Sequence, residues 1–383
     1  MKRSEVLGLI TNSSFNICVA GTHGKTTVST MTAHLLQDSG YGCNAFLGGI
    51  AVNYNSNYWS NERNVCVVEA DEYDRSFLRL SPDVAVITSM DADHLDIYGT
   101  PEAMEEAFIE FSGKVKPGGL LLSKYGLKRS GELKTANHLT YSLQDERADV
   151  HATNIHRQQG SYTFDVVMKD WKLENVVLNM GGLHNIENVT VAITVAHRLG
   201  IADDKIKAAV ASFRGVKRRF EYIVKELPAA AEKKNAVVFV DDYAHHPEEL
   251  RALITGTRNL FPDMLCTVIF QPHLFSRTRD FANEFAATLD MADEVTLLPI
   301  YPARELPMEG VTSQMLLDRM KNKNKQLLNK EELLKWVEDK IKVVRENTNQ
   351  GDANRGGWLL ITAGAGDIDT LVQPIKKIIE VGQ

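Results

Sequence analysis

The stretch "VAGTHGKTTVST", residues 19–30, lies between a short apolar run and a helical pattern. Upstream, "FNICVA" (15–20) has the composition of a buried strand, and downstream apolar residues recur at helical spacing as far as Gly40. The sequence therefore predicts a strand-to-helix turn at residues 21–25. At such a turn the first backbone N–H groups of the helix have no intrahelical partner, and the helix dipole favours an anion.

This turn has the parts of a phosphate loop, although it departs from the strict G-x-x-x-x-G-K-[ST] pattern because Val19 stands where the first glycine would be. Two glycines permit a tight turn, Lys25 supplies a mobile cation for β- and γ-phosphate oxygens, and Thr26 offers a hydroxyl to Mg²⁺. The alternative is a plain turn that carries a surface lysine. We predict that the whole motif binds nucleotide: Gly21, Thr22, His23, Gly24, Lys25, Thr26 and Thr27.

Acidic and imidazole groups follow two further apolar strands. "VCVVEA" delivers Glu69 with Glu72 close behind, and "DVAVIT" is followed by His94. Ligands bind at the carboxyl edge of parallel sheets, and Mg²⁺ prefers oxygen ligands. We therefore predict Glu69 and Thr26 as metal ligands, with His94 on a second metal ion or on the γ-phosphate. The alternative is a solvated loop after each strand.

Composition limits the class of protein. The 383 residues suggest two or three domains, and a formal net charge of −7 without a dense basic stripe argues against a nucleic-acid surface. No apolar run reaches the roughly 18 residues of a membrane span. The four cysteines have no zinc-binding spacing, and three of them lie in or beside apolar stretches, which predicts buried thiols. We expect a cytoplasmic monomer or weak homodimer with no nucleic-acid or membrane partner.

The chain is predicted to be α/β, with a P-loop ATP-binding central domain over residues 1–214 and a C-terminal Rossmann-like α/β domain over residues 215–383. Strand patterns over residues 138–178 predict antiparallel pairing, and the second domain alternates strands and helices as in a mostly parallel sheet.

Polar side chains also open the helix predicted within "GGLHNIENV", residues 181–189. His184, Asn185 and Asn188 lie at its start, and amides suit purine edges because they both donate and accept hydrogen bonds. We predict that all three contact the nucleotide. The alternative for Asn185 is a helix cap.

Two strand ends of the second domain, "DDYAHHP" and "QPHLFSRTRD", carry a second polar cluster. We predict that His245, Arg277 and Arg279 are catalytic and that Asp242 contacts the nucleotide. The two arginines offer forked hydrogen-bond donors to a carboxylate or a phosphate. In the alternative, an arginine pairs with an acidic residue of its own helix, Asp280 or Glu284, and the histidines only begin a helix.

In their order, "GTHGKTT", "EADEYDRSFL", "DADHLDIY", "LHNIENV", "VDDYAHHPEEL", "FQPHLFSRTRDF" and "ITAGAGDI" resemble the Mur ligases of peptidoglycan synthesis, from about residue 3 to the end. The resemblance implies an ADP-forming ligase that uses ATP and Mg²⁺. It would activate the carboxylate of UDP-N-acetylmuramate as an acyl phosphate, and the amine of L-alanine would then attack.

Residue by residue, the resemblance implies phosphate and Mg²⁺ contacts for Lys25 and Thr26, metal contacts for Glu69 and His94, adenine contacts for His184 and Asn188, and phosphate contacts for Arg219. The family more often has arginine at the position of Leu274, so no basic role is assigned there.

The family usually also has an N-terminal domain that binds the UDP group, whereas the phosphate loop here begins by residue 21. We therefore expect a chain without that domain, which binds Mg·ATP but adds little or no alanine. Two other functions remain open: a ligase that takes a murein tripeptide as its amine, and a non-catalytic nucleotide-binding module.

Overall fold

A computed structural model describes residues 3–91, 95–158, 160–227, 236–346 and 357–381. The chain divides into two compact units, Met1–Val216 and Lys217–Gln383. The sequence placed this division after residue 214. Each unit is described by itself below.

The first unit contains a ten-stranded sheet and six α-helices within its described residues. Its helices are α1 (Arg3–Asn12), α2 (Lys25–Asp38), α3 (Leu95–Tyr98), α4 (Pro101–Ser112), α5 (Leu183–Arg198) and α6 (Asp203–Ser212). Its strands are β1 (Phe15–Ala20), β2 (Asn44–Ala51), β3 (Ser56–Trp59), β4 (Val65–Glu69), β5 (Val84–Ile87), β6 (Leu120–Lys124), β7 (His138–Ser142), β8 (Val150–Gln158), β9 (Ser161–Met168) and β10 (Trp171–Leu178).

The strand order is β10-β9-β8-β7-β6-β5-β1-β4-β2-β3, so β1 lies between β4 and β5 and is parallel to both. Val19 pairs with Glu69 on one side and with Val86 on the other. The residues that follow all three strands therefore meet at one sheet edge, where the chain order reverses and where ligands bind in such sheets.

Pairing beyond β6 differs in part from the prediction. Strands β8, β9 and β10 are antiparallel, as predicted, but β7 is parallel to both β6 and β8. The prediction for β7 was wrong because a five-residue strand has the same side-chain alternation in either direction.

The second unit contains six helices and a six-stranded sheet within its described residues. Its helices are α7 (Pro247–Leu260), α8 (Phe275–Asp280), α9 (Ala282–Leu289), α10 (Ser313–Arg319), α11 (Lys330–Glu346) and α12 (Asp369–Val381). Its strands are β11 (Glu221–Glu226), β12 (Ala236–Asp242), β13 (Leu265–Phe270), β14 (Glu294–Leu297), β15 (Lys325–Leu327) and β16 (Gly357–Ala363), in the order β11-β12-β16-β13-β14-β15.

Only β11 is antiparallel to its neighbour among these strands, which confirms the mostly parallel sheet. Asp242 and Phe270 both pair with Ala363, so β12, β16 and β13 end at the same edge.

Each unit has its own apolar core. Phe77, Phe108 and Phe111 pack together beneath the first sheet, and Trp358 and Phe239 lie within the core of the second. All four cysteines are buried free thiols, which confirms the prediction that rested on three of them. In the described part of the chain, none of the helices has the length and apolar character needed to cross a bilayer.

Candidate active site

The turn between β1 and α2 can be built only with glycine at its first position. Gly21 has φ 131°, and a Cβ atom there would lie 2.1 Å from Thr88 Oγ1. The chain then passes Gly24, the N-cap residue, and α2 begins at Lys25. The predicted strand, turn and helix are confirmed, and the first N–H groups of α2 lie at the sheet edge.

Hydroxyl groups of the neighbouring strand end hold the loop. Thr22 Oγ1 lies 2.8 Å from Ser89 Oγ, which also accepts a hydrogen bond from the His23 backbone N–H at 2.7 Å. The His23 side chain is 72% exposed, whereas Thr27 is buried. Of these three side chains, His23 is therefore the one that is mostly exposed to solvent.

Lys25 is held by two oxygen atoms. Its Nζ donates to Gly21 O and to Glu72 Oε1, each at 2.7 Å. The Glu72 side chain is 0% exposed, and this burial raises its pKa, while the Lys25 ammonium acts in the opposite direction. Sequence reasoning assigned Glu72 no role, although it stands three residues beyond Glu69 in the same acidic segment.

Thr26 and Glu69 form the centre of the predicted metal site. Thr26 Oγ1 donates to Glu69 Oε1 at 2.8 Å, and the Gly48 backbone N–H donates to Glu69 Oε2 at 2.7 Å. A hydroxyl and a carboxylate beside a phosphate loop are the oxygen donors that Mg²⁺ prefers, so this donor set fits the ion. His94, the third predicted ligand, lies outside the described residues.

Gly48 offers a steric test of this carboxylate. A Cβ atom at Gly48 would lie 2.4 Å from Glu69 Oε1, so Gly48→Ala must displace the end of a flexible side chain. We expect the gain in ATP affinity that Mg²⁺ provides to be about tenfold smaller in this variant, because the lost metal contact is worth about 1.4 kcal/mol. The free energy of unfolding should change little. Calorimetric titration of ATP with and without Mg²⁺ measures this. Gly131→Ala is the matched control, because a Cβ atom there meets nothing within 4 Å; equal effects of the two variants would contradict the prediction.

The polar residues at the start of α5 separate into two kinds. His184 is exposed, whereas Asn185 is buried and donates from Nδ2 to Gly181 O at 2.6 Å. Asn188 donates to Asn185 Oδ1 at 3.1 Å, and its own Oδ1 would lie 3.3 Å from a Cβ atom at Gly24. The structure therefore brings Asn188 beside the phosphate loop, with Asn185 behind it.

The alternative of Asn185 as a helix cap is wrong, because the N-cap of α5 is Gly182 and no side chain caps it. Nucleotide contacts by these residues stay a prediction.

In the second unit, the strand end of β12 presents two carboxylates. Both oxygens of Asp242 accept backbone N–H groups at 2.7 Å, from Phe220 and Ala244, and desolvation raises its pKa to about 6. Asp241 is buried, and desolvation raises its pKa to about 7. Asp242 therefore holds the local backbone, and a nucleotide contact for it stays a prediction.

The basic segment before β11 places Arg218 against Asp241. Arg218 Nε lies 3.4 Å from Asp241 Oδ2, and its guanidinium also donates to Gly364 O and lies over the ring of Tyr243. Arg219 is exposed. The contact of Arg218 was not predicted because adjacent arginines in "KRRF" cannot be distinguished without the backbone, which has φ 60° at Arg218. A phosphate contact for Arg219 stays a prediction.

The two predicted clusters of the second unit meet. The rings of His245 and His273 are 6.0 Å apart, and Arg277 Nη1 lies 3.4 Å from His273 Nδ1. Desolvation, with Arg277 and His245 nearby, lowers the pKa of His273, so its imidazole is neutral near pH 7. This group combines a permanent cation with a neutral base.

The alternatives in which these arginines and histidines have a structural role are also correct in part. Arg279 Nε donates to Asp280 Oδ1 at 2.8 Å, so this arginine does pair with an acidic residue of its own helix. The backbone N–H groups of His245 and His246 both donate to Glu249, which caps the start of α7. The side chain of His245 nevertheless remains beside His273.

The fold and the loop define a nucleotide-binding α/β protein with a modified phosphate loop and a second α/β unit. The Mur ligase middle domain matches residues 19–196, and the Mur ligase glutamate ligase domain matches residues 218–366. The chain therefore belongs to the Mur ligase family, whose members are ATP-dependent ligases.

Comparison with individual relatives gives a more specific result than the family match. The chain is 45% identical to the UDP-N-acetylmuramate–L-alanine ligase of Cytophaga hutchinsonii and 46% identical to that of Parabacteroides distasonis, over 99% of this chain and 77% of each relative. A UDP-N-acetylmuramate–alanine ligase structure from Thermotoga maritima has a TM-score of 0.76 at 24% identity, over 99% of this chain and 78% of that one. The last comparison concerns the fold alone.

Proposed function

We propose that this chain is an ADP-forming ligase that joins L-alanine to the carboxylate of UDP-N-acetylmuramate through an acyl phosphate, in the cytoplasm and at the low rate expected from the sequence. Two relatives that are UDP-N-acetylmuramate–L-alanine ligases align with 99% of this chain, and they support this reaction. The observation that carries the chemistry is the phosphate loop in which Lys25 and the Thr26–Glu69 pair lie side by side.

In this proposal the first unit binds the triphosphate. Lys25 and the first N–H groups of α2 neutralise phosphate oxygens, and Thr26 with Glu69 holds Mg²⁺. When bound, the metal ion screens the negative charge between carboxylate and triphosphate. The muramyl carboxylate oxygen bonds to the γ-phosphorus as the bond from that phosphorus to the β–γ bridging oxygen breaks, and ADP leaves with its electron pair.

The second unit supplies the groups for the amine step. The neutral amine of L-alanine attacks the acyl carbon, and phosphate leaves as the C–O bond breaks. Arg277 can stabilise that phosphate, and the neutral imidazole of His273, with His245 beside it, can accept the proton released by the amine. The 3.4 Å contact between Arg277 and His273 supports placing both groups in one step.

A murein tripeptide ligase and a non-catalytic nucleotide-binding module are the rival functions. ADP release is measured with UDP-N-acetylmuramate and either L-alanine or the tripeptide, beside calorimetric titration of Mg·ATP. Selectivity between the amines is the readout, so a low absolute rate does not affect it. Release that requires L-alanine supports the proposal, preference for tripeptide supports the first rival, and binding without amine-dependent release supports the second.

A further inference from the structure

Glu72 contacts the lysine of the phosphate loop from a rigid position. Its side chain is 0% exposed, and its carboxylate accepts a hydrogen bond from Lys25 Nζ at 2.7 Å. Its backbone oxygen accepts the Tyr98 hydroxyl at 2.6 Å and the Arg75 N–H at 3.0 Å. Phe77, on the same short helical turn, lies in the core between Phe108 and Phe111. The Glu72 backbone is therefore anchored, whereas Lys25 carries its ammonium on a four-carbon stem that is intrinsically flexible.

The ammonium of Lys25 must serve two anions once ATP is present. It has three N–H donors, of which one contacts Gly21 O and one contacts Glu72. A triphosphate entering the loop competes with the Glu72 carboxylate for the same positive charge. Since Lys25 is only 14% exposed, this competition takes place largely out of water, where charges interact more strongly.

We propose that Glu72 is a positioning residue that holds the Lys25 ammonium above the phosphate loop and, by sharing its charge, keeps Mg·ATP binding weaker than the loop alone would allow. The inference rests on the proposed function only in taking Mg·ATP as the ligand of this loop. Removing the charge of Glu72 then has two opposite effects: the nucleotide binds more tightly, and the less firmly held ammonium supports phosphoryl transfer less well.

The test is Glu72→Gln, which keeps the shape and a hydrogen-bond acceptor but removes the charge. We expect Mg·ATP to bind about threefold to tenfold more tightly by calorimetric titration, while the maximal rate of ADP release falls. A residue that only supported the fold would show the reverse, with weaker binding and a lower melting temperature. Unchanged or weaker binding overturns the inference.

Two further variants make the result specific. Glu105→Gln is the matched control, because Glu105 is also a buried carboxylate paired with a lysine at 2.7 Å, on α4; it should leave Mg·ATP affinity unchanged. Glu72→Asp keeps the charge and should bind no more tightly than the natural chain; equal tightening by both Glu72 variants would also overturn the inference. If the natural chain does not bind Mg·ATP, the proposed function itself fails, whereas binding that Glu72→Gln does not strengthen removes only this inference.

Discussion

Replacing Lys25 with alanine is expected to weaken Mg·ATP binding about a hundredfold. The ammonium is the only flexible cation that the described residues of the loop place within it, and charge-assisted hydrogen bonds to phosphate contribute about 1.5–3 kcal/mol each. The variant also leaves the Glu72 carboxylate buried beside the phosphates without the ammonium that now contacts it at 2.7 Å. Both changes act against the nucleotide.

Calorimetric titration of Mg·ATP against the purified variant measures this effect. Lys169→Ala is a suitable control because Lys169 is exposed in the same unit, in the turn after β9, so the change in net charge is the same. The control should bind as the natural chain does. Equal affinities of the Lys25 variant and the natural chain would remove the basis for a phosphate loop here.

Glu69→Gln is expected to abolish most of the dependence of ATP binding on Mg²⁺. An amide oxygen is a much poorer ligand than a carboxylate for a hard divalent cation, although it retains the shape that receives Thr26 Oγ1 and the Gly48 N–H. The ratio of the dissociation constants for ATP without and with Mg²⁺ should fall by roughly tenfold or more, about 1.4 kcal/mol.

The same titration with Glu62→Gln controls for the loss of one negative charge, since Glu62 is exposed in the first unit. A Glu69 variant that keeps the full Mg²⁺ dependence would mean that the ion is held elsewhere. Free ATP should bind to the Glu69 variant at least as well as to the natural chain, because the removed carboxylate repels phosphate.

Local chemistry made much of the fold predictable. Strand β1 ends at Ala20 and α2 starts directly after Gly24, in agreement with the turn predicted at residues 21–25. These boundaries depend on residues within a turn or two of the chain. The direction of β7 was not predictable in this way, because it depends on which distant strands lie beside it.

The site was predictable where one segment carries the chemistry and less so where two segments meet. The loop motif marked Lys25 and Thr26 directly, but the partner of Lys25 is 47 residues away at Glu72. Nothing in the spacing of two residues so far apart indicates a buried ion pair. The contact of Arg218 with Asp241 was not predicted for a different reason, since adjacent arginines can be told apart only when the backbone is known.

The most direct test of the account is a crystal structure of the chain with Mg²⁺ and a non-hydrolysable ATP analogue. We expect β- and γ-phosphate oxygens within hydrogen-bond distance of Lys25 Nζ and the N–H groups at the start of α2. We also expect the metal ion to contact Thr26 Oγ1 and the Glu69 carboxylate directly or through water. A triphosphate bound away from Lys25, or a metal ion with no contact to Thr26 or Glu69, would contradict it.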